Sequence, residues 1–322
     1  MLLRKEEKNM EMDVCWKEYF RDDARYADVI NGIGGGGQQL VEAKDLQEAD
    51  SQTIFGKWYK VLGKGGRVRI RDMVRKVAFG VNFAIIGFEN QEMVDYSMPL
   101  RCMEYDAGEY EKQAGKIRRK LRKQKGLSKE EYLYGFGKDS RLYPVVTFVL
   151  YGGKKAWDGP ESLHDMLDWT DVPEKLRRFV SDYPIHVVKI REFENTDVFQ
   201  TDVKQVFDFI RCSGDRKALA ELVKNDERFQ SMEEDAYEVV TQYVKADELI
   251  QVKDEYRGKD GKVNMCQVLK ELIEEGRAEG RSAAIRDVVM RMVKKGKSDE
   301  EIIELTECST SLIWEIRSSM KK

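Results

Sequence analysis

The sequence predicts an α/β fold: a mixed sheet flanked by helices and followed by a helical C-terminal region. Three observations carry this prediction. Residues 67–77 alternate apolar and polar side chains at their start, which is typical of a strand. Residues 83–88 and 143–151 are almost continuously apolar, which indicates strands covered on both faces. After about residue 200, apolar residues recur at three- and four-residue steps, which predicts helices.

The predicted elements follow one another as helix, antiparallel strand pair, helix, further strands and helices. We expect the first helix over 14–31, the strand pair within 66–91, a helix over 104–125, strands over 143–151 and 184–193, and helices over 202–294. A turn and a short helix separate the last two strands. We expect Pro99 to break the strand before the helix over 104–125, because proline lacks a backbone N–H.

Composition excludes several classes of protein. Charged residues make up 36% of the chain, the net charge is −3, and no apolar stretch approaches the roughly 18 residues of a membrane helix. Five scattered cysteines, an odd number, do not make a disulfide framework or a zinc site. Only two histidines are present, which leaves little for Ser-His-Asp or Cys-His catalysis. The N-terminus lacks the apolar run of a signal peptide, so we expect a cytoplasmic protein.

A pair of carboxylates stands out against the strand pattern. Asp72 occupies a position where the alternation calls for an apolar residue. Glu89 and Gln91, two apart, project from one face if the next strand continues through them. Antiparallel pairing of the two strands would bring the acids together, and close carboxylates repel unless a cation lies between them. Oxygen ligands of this kind suit Mg²⁺, with Mn²⁺ as the alternative. A strand that simply runs out into solvent is the competing interpretation.

Longer motifs carry a resemblance to a known family. In chain order they are RYADVIN (25–31), RIRDMV (69–74), IIGFENQ (85–91), VDYSMPLRCMEYDAGEY (94–110), YPVVTFVLYGGKKAWDGP (143–160) and EEGRAEGR (274–281). Together they resemble the bacterial Rpn family of recombination-promoting nucleases, in the PD-(D/E)XK superfamily. The resemblance implies a restriction-endonuclease-like sheet, with Asp72 and Glu89 as metal ligands and Gln91 as the third catalytic residue. It also links the chain to DNA recombination or mobile elements.

Gln91 departs from the superfamily pattern, which has lysine at this position. Glutamine is neutral and only donates and accepts hydrogen bonds, so it orients a water rather than lowering its pKa. The leading hypothesis is a Mg²⁺-dependent DNA endonuclease that hydrolyses phosphodiester bonds. The alternative is a catalytically degenerate nuclease fold that binds DNA or self-associates. A transposase with three catalytic acids fits less well. It would need acids on three separate elements, and it would give Glu89 and Gln91 no joint role.

A basic run follows the acid pair. Residues 112–125 hold eight Lys or Arg and no acid, a pattern that suits phosphate binding, although a solvated helix face is the commoner meaning of such a run. The predicted nucleic-acid-binding residues are Lys116, Arg118, Arg119, Lys120, Arg122 and Lys123. Asp28 is a candidate accessory acid or a helix-end residue, and Arg101 is a candidate phosphate contact or the partner of an acid. Lys154 and Lys155 form a smaller basic patch.

The composition changes along the chain predict three regions. Residues 1–200 would form the nuclease-like domain, 201–293 a charged helical neck, and 294–322 a short helical hairpin. Arg317 and the terminal Lys321 and Lys322 are the basic residues that mark the hairpin's second helix. This small number favours a packing or dimerisation module over a DNA-binding one. We expect DNA as a partner and a homo-oligomer formed through the C-terminal helices.

Overall fold

The computed structural model describes residues 14–48, 52–55, 67–70, 73–77, 82–87, 94–243 and 253–319. Seven strands in these segments form two sheets. They are β1 (Leu46–Glu48), β2 (Gln52–Phe55), β3 (Arg67–Ile70), β4 (Met73–Val77), β5 (Asn82–Gly87), β6 (Val145–Tyr151) and β7 (His186–Lys189).

The larger sheet has five strands in the order β1-β4-β5-β6-β7. β4 pairs antiparallel with both β1 and β5, whereas β6 pairs parallel with both β5 and β7. β2 and β3 form a separate antiparallel pair. The predicted mixed sheet is therefore confirmed.

One predicted strand is divided between the two sheets. Residues 67–77 were expected to form a single strand, but β3 belongs to the two-stranded sheet and β4 to the five-stranded sheet. Alternation of apolar and polar side chains indicates that a segment is extended, but it does not indicate which other strand that segment pairs with. The predicted antiparallel neighbour is nevertheless correct for the second half, since Met73 pairs with Ile85.

The described residues contain ten α-helices with defined ends. They are α1 (Asp23–Val29), α2 (Met98–Leu121), α3 (Lys129–Tyr134), α4 (Glu174–Arg177), α5 (Val203–Cys212), α6 (Arg216–Asn225), α7 (Glu234–Thr241), α8 (Met265–Lys294), α9 (Asp299–Thr306) and α10 (Thr310–Ser319). Residues 14–19 are also helical. Single turns of other helix types lie at Ile30–Gly34, Ala43–Asp45, His164–Met166, Ile190–Glu192, Thr196–Val198, Glu227–Gln230 and Lys253–Tyr256. The predicted helical C-terminal region is confirmed.

Two helix boundaries differ from the prediction. The helix expected over 14–31 is broken near residue 20, and Asp22 caps the new start by accepting a hydrogen bond from the N–H of Ala24. The helix expected to begin near 104 begins at Met98 instead. Pro99, expected to break a strand, instead lies in the first turn of this helix, where proline is tolerated because the N–H groups have no helical partner.

Three groups of buried side chains hold the fold. The main core joins the N-terminal helices, the sheet and the helices after residue 200, with Trp16, Tyr26, Phe148, Val188, Phe207, Tyr237 and Val268 among its members. A second group lies between α2 and the sheet and includes Met98, Cys102, Tyr105, Val149 and Tyr151. A third closes the C-terminal helices around Val289, Ile302, Cys308, Ile313 and Ile316. Across the described part of the chain, every helix is too short or too polar to cross a membrane.

Candidate active site

Several strands end at one edge of the five-stranded sheet. β4 begins at Met73, and β5, antiparallel to it, ends at Gly87. Because Met73 pairs with Ile85, the start of β4 and the end of β5 lie side by side. β6 and β7 run parallel to β5, so their carboxyl ends lie at this edge too. Ligand sites of open α/β sheets form at the carboxyl ends of strands, which makes this edge the candidate site.

The three predicted catalytic residues, Asp72, Glu89 and Gln91, lie outside the described residues. Asp72 directly precedes β4, and Glu89 follows the last residue of β5 by two positions. In the segments that the structure does describe, no group of three or more His, Cys, Asp or Glu side chains could hold a metal ion. The metal ligands therefore stay a prediction.

The turn that follows β6 is held firmly at this edge. The Tyr151 hydroxyl donates a hydrogen bond of 2.9 Å to the carbonyl of Lys155. The guanidinium Nε of Arg191 donates another, also 2.9 Å, to the carbonyl of Gly152. Burial, and then the negative charge of Asp158, raise the pKa of Tyr151, so its hydroxyl stays protonated as the donor.

Close packing also requires glycine in this turn. A β-carbon at Gly153 would overlap the hydroxyl oxygen of Tyr151. Lys154 and Lys155 follow and are exposed. Neither lysine forms an ion pair with any residue that the structure describes. The sequence 152–155, named here the lysine loop, thus holds two solvated cations in a fixed backbone beside the end of β5.

Helix α2 supports β6 through buried polar contacts. The carboxylate of Asp106 accepts a hydrogen bond of 2.7 Å from the Thr147 hydroxyl and a second from the Tyr183 hydroxyl. The amide of Gln113 accepts from the backbone N–H of Tyr143 at 2.7 Å and donates to its carbonyl at 3.2 Å. These contacts fix the strand next to β5. The partners of Asp106 lie 41 and 77 residues away in the sequence, so a local pattern could not reveal them.

Asp28, the candidate accessory acid, is buried and fully occupied by the chain itself. Its two carboxylate oxygens accept hydrogen bonds from the backbone N–H of Gln200, at 2.9 Å, and of Thr201, at 2.7 Å. The Thr201 hydroxyl donates a further bond of 2.6 Å. Asp28 therefore holds the turn that leads into α5.

Arg101, the candidate phosphate contact, lies in the first turns of α2. Its guanidinium forms an ion pair of 2.7 Å with Asp95. Burial alone would raise the pKa of Asp95, but hydrogen bonds from Arg101 and Ser97 outweigh it and hold that pKa below its usual value. The contact ties the segment before α2 to the helix.

The basic run lies on the last turns of α2 and the segment after it. Arg118 is paired with Glu111 at 2.6 Å. The Nε of Arg119 donates to the carbonyl of Gly115 at 3.3 Å. The remaining predicted contacts are exposed and form no ion pair with any described residue: Lys116, Lys120, Arg122 and Lys123. Cations at a helix C-terminus also interact favourably with the helix dipole.

Sequence reasoning overlooked the aromatic residues beside this basic run. Tyr132, Leu133 and Tyr134 lie on α3 and are all exposed. The signal that could have found them is the sequence EEYLYGF, where two tyrosines follow the lysine-rich stretch without any apolar periodicity.

Comparison with known proteins connects this geometry to a family. Residues 76–240, just over half of the chain, match the family model described as "Putative transposase, YhgA-like". The matched residues include Glu89, Gln91, the basic run and the lysine loop, and they begin shortly after Asp72. No curated protein and no solved structure matches the chain. The family description links its members to mobile DNA elements. The Rpn resemblance is thereby confirmed, and the chain belongs to this Rpn-type family, whose model is described as "Putative transposase, YhgA-like".

Proposed function

We propose that the protein is a Mg²⁺-dependent DNA endonuclease whose site lies at the carboxyl edge of a restriction-endonuclease-like sheet. The observation that carries the proposal is the register of β4 and β5, in which Met73 pairs with Ile85. In the sequence, one acid directly precedes β4 and another follows β5 by two positions, and these two strand ends are neighbours.

Covalent geometry supports this arrangement. Consecutive Cα atoms are about 3.8 Å apart across a trans peptide bond. Asp72 is bonded directly to Met73, and Glu89 follows Gly87 by two residues, so chain connectivity limits how far either acid can lie from the neighbouring ends of β4 and β5. Two carboxylates brought together there would repel without a cation, and hard divalent cations prefer such oxygen ligands.

Each residue has a distinct role in the proposed reaction. Asp72 and Glu89 hold the ion, which is Mg²⁺ or alternatively Mn²⁺. When bound, the ion supplies Lewis-acid polarisation of the phosphate and of water. Gln91 accepts and donates hydrogen bonds and so orients the attacking water, without adding positive charge. The basic run binds the DNA backbone away from the cut.

The lysine loop supplies positive charge, which the neutral side chain of Gln91 does not. Gly87 pairs with Leu150, so the loop begins two residues beyond the level at which β5 ends. We assign Lys154 and Lys155 to phosphate contact beside the scissile bond, where charge develops. The Lys154→Ala/Lys155→Ala variant should lose most nicking activity. The control variant Lys217→Ala/Lys224→Ala removes the same amount of charge from two exposed residues of α6, and it should leave activity unchanged.

The decisive experiment incubates supercoiled plasmid with the protein in Mg²⁺ and in EDTA. We expect nicking that requires both Mg²⁺ and Asp72, so that Asp72→Ala and Glu89→Ala are inactive but folded by circular dichroism. Asp171→Ala, a substitution of an exposed acid in a turn, serves as the control. Full nicking by Asp72→Ala would refute the site.

Absence of nicking across divalent metals would favour the second candidate, a DNA-binding protein with a degenerate nuclease fold. The observation that keeps this candidate is Gln91 in place of lysine. Such a protein would still shift DNA in a gel in the presence of EDTA.

A further inference from the structure

The segment that joins α2 to β6 concentrates positive charge. Residues 112–143 contain eleven Lys or Arg and three Asp or Glu, a net charge of +8, whereas the whole chain carries −3. The rest of the chain therefore carries −11. A potential of this sign, confined to one segment of an acidic protein, attracts polyanions to that segment and orients them there.

Helix α3, inside this segment, exposes large apolar side chains. Tyr132, Leu133 and Tyr134 are 77%, 69% and 72% exposed, and no residue of α3 is buried. The helix is nevertheless well formed, since Ser128 and Glu131 make a reciprocal capping box and Gly135 ends it in the left-handed conformation. A capped helix with no fully buried residue and three exposed large side chains offers an ordered surface to a ligand.

Helix α3 folds back onto the end of α2, which carries the basic run. A β-carbon at Gly135 would lie only 3.0 Å from the side chain of Arg118, so the end of α3 packs against the last turns of α2. Further along, Gln113 of α2 grips the backbone of Tyr143 through two hydrogen bonds. Exposed rings and exposed cations are thus held together on one arm rather than on independent loops.

We propose that residues 112–143 bind single-stranded nucleic acid, with bases stacked on Tyr132 and Tyr134 and phosphates on the cations that end α2. A duplex hides the faces of its bases, so exposed tyrosine rings contribute little to duplex binding. An unpaired strand offers both phosphates and base faces, and aromatic rings beside a basic groove bind it without sequence preference. The inference rests on the proposed function in taking nucleic acid as the ligand, and it adds the requirement for unpaired nucleotides.

The test measures binding of a fluorescent oligothymidylate by anisotropy, in EDTA so that no strand is cut. An abasic strand of equal length has the same phosphates and no bases. We expect the wild-type protein to bind oligothymidylate at least tenfold more tightly than the abasic strand, since stacking of one base accounts for about that factor. The Tyr132→Ala/Tyr134→Ala variant should lose this preference but keep its affinity for the abasic strand and its salt dependence.

Two further variants separate stacking from charge. Lys120→Ala/Lys123→Ala should weaken binding of both strands and reduce the slope of log affinity against log salt by about 0.7 for each phosphate that is no longer neutralised. Trp314→Ala removes an aromatic side chain that is 73% exposed but belongs to the C-terminal helices, and it should change nothing. Circular dichroism of every variant checks folding.

Several results would overturn the inference. Equal binding of the two strands by the wild-type protein excludes stacking, and unchanged binding by the double tyrosine variant excludes these rings. A wild-type dimer that becomes monomeric in the tyrosine variant, with oligothymidylate binding intact, would make α3 a contact between copies of the chain. Plasmid nicking is measured separately. Base-dependent binding without nicking supports this inference and rejects the endonuclease. Nicking without base-dependent binding supports the endonuclease and rejects this inference.

Discussion

Replacing Asp28 by alanine would distinguish a structural acid from a metal ligand. Asp28 is 5% exposed, and its carboxylate accepts hydrogen bonds from Gln200 and Thr201, across 172 and 173 residues of sequence. These bonds connect α1 to the turn before α5. If they are its purpose, Asp28→Ala should destabilise the protein and leave the activity of the folded molecules unchanged.

The size of the effect follows from the partners. A hydrogen bond to a charged group contributes about 1.5–3 kcal/mol, and a buried donor left without an acceptor costs about 1–3 kcal/mol. Gln200 is exposed and Thr201 is half-buried, so water can replace part of these hydrogen bonds in the variant. We expect Asp28→Ala to lower the free energy of unfolding by about 3 kcal/mol, and Asp28→Asn, which keeps one acceptor, by about half of that.

Thermal and urea unfolding measure the loss of stability directly. At roughly 2–4 °C per kcal/mol, Asp28→Ala should melt about 6–12 °C below the wild-type protein. Asp171→Ala, an exposed acid, should melt with the wild type. A normal melting temperature for Asp28→Ala would refute the reasoning, and if Mg²⁺-dependent nicking were abolished as well, Asp28 would be an accessory ligand.

The remaining predictions concern catalysis, packing and the long helix. Gln91→Lys should increase nicking near neutral pH about tenfold, because one unit of pKa in the attacking water is a tenfold change in its reactive form; an unchanged pH–rate profile would count against this. Tyr183→Phe removes one donor from buried Asp106 and should lower stability by about 1–2 kcal/mol in urea unfolding, with no change if Asp106 finds water instead. Gly276→Ala and Gly280→Ala should each stabilise α8 by about 0.5–1 kcal/mol in thermal melts, because an added β-carbon meets nothing within 4 Å. A decrease in stability would reveal a second copy packed against these glycines.

The sequence predicted elements whose cause is local. The apolar runs at 83–88 and 143–151 predicted strands β5 and β6, and in β6 the last five residues are buried. The break near residue 20 was missed because the helices on either side of it bury Trp16 and Tyr26 in the same core, so apolar periodicity continues across it. Pro99 was misjudged because its meaning depends on whether it falls in the first turn of a helix or inside a strand.

The candidate site divides in the same way. Alternation and charge singled out Asp72, Glu89 and the basic run as candidates, because each signal lies within a few residues, and their roles stay a prediction. The engagement of Asp28 with Gln200 could not be predicted, since nothing local connects positions 172 residues apart. The aromatic residues of α3 were also missed, because exposure depends on the packing of the whole chain.

Helix α8 has a mechanical consequence. Val268 belongs to the main core and Val289 to the C-terminal core, and both lie on this one 30-residue helix. At about 1.5 Å per residue, the intervening turns form a rod of about 32 Å. The rod acts as a lever: a bend of about 10° at its base would carry the C-terminal helices about 6 Å. If two chains joined through those helices, the length of this rod would also set the distance between their two candidate sites.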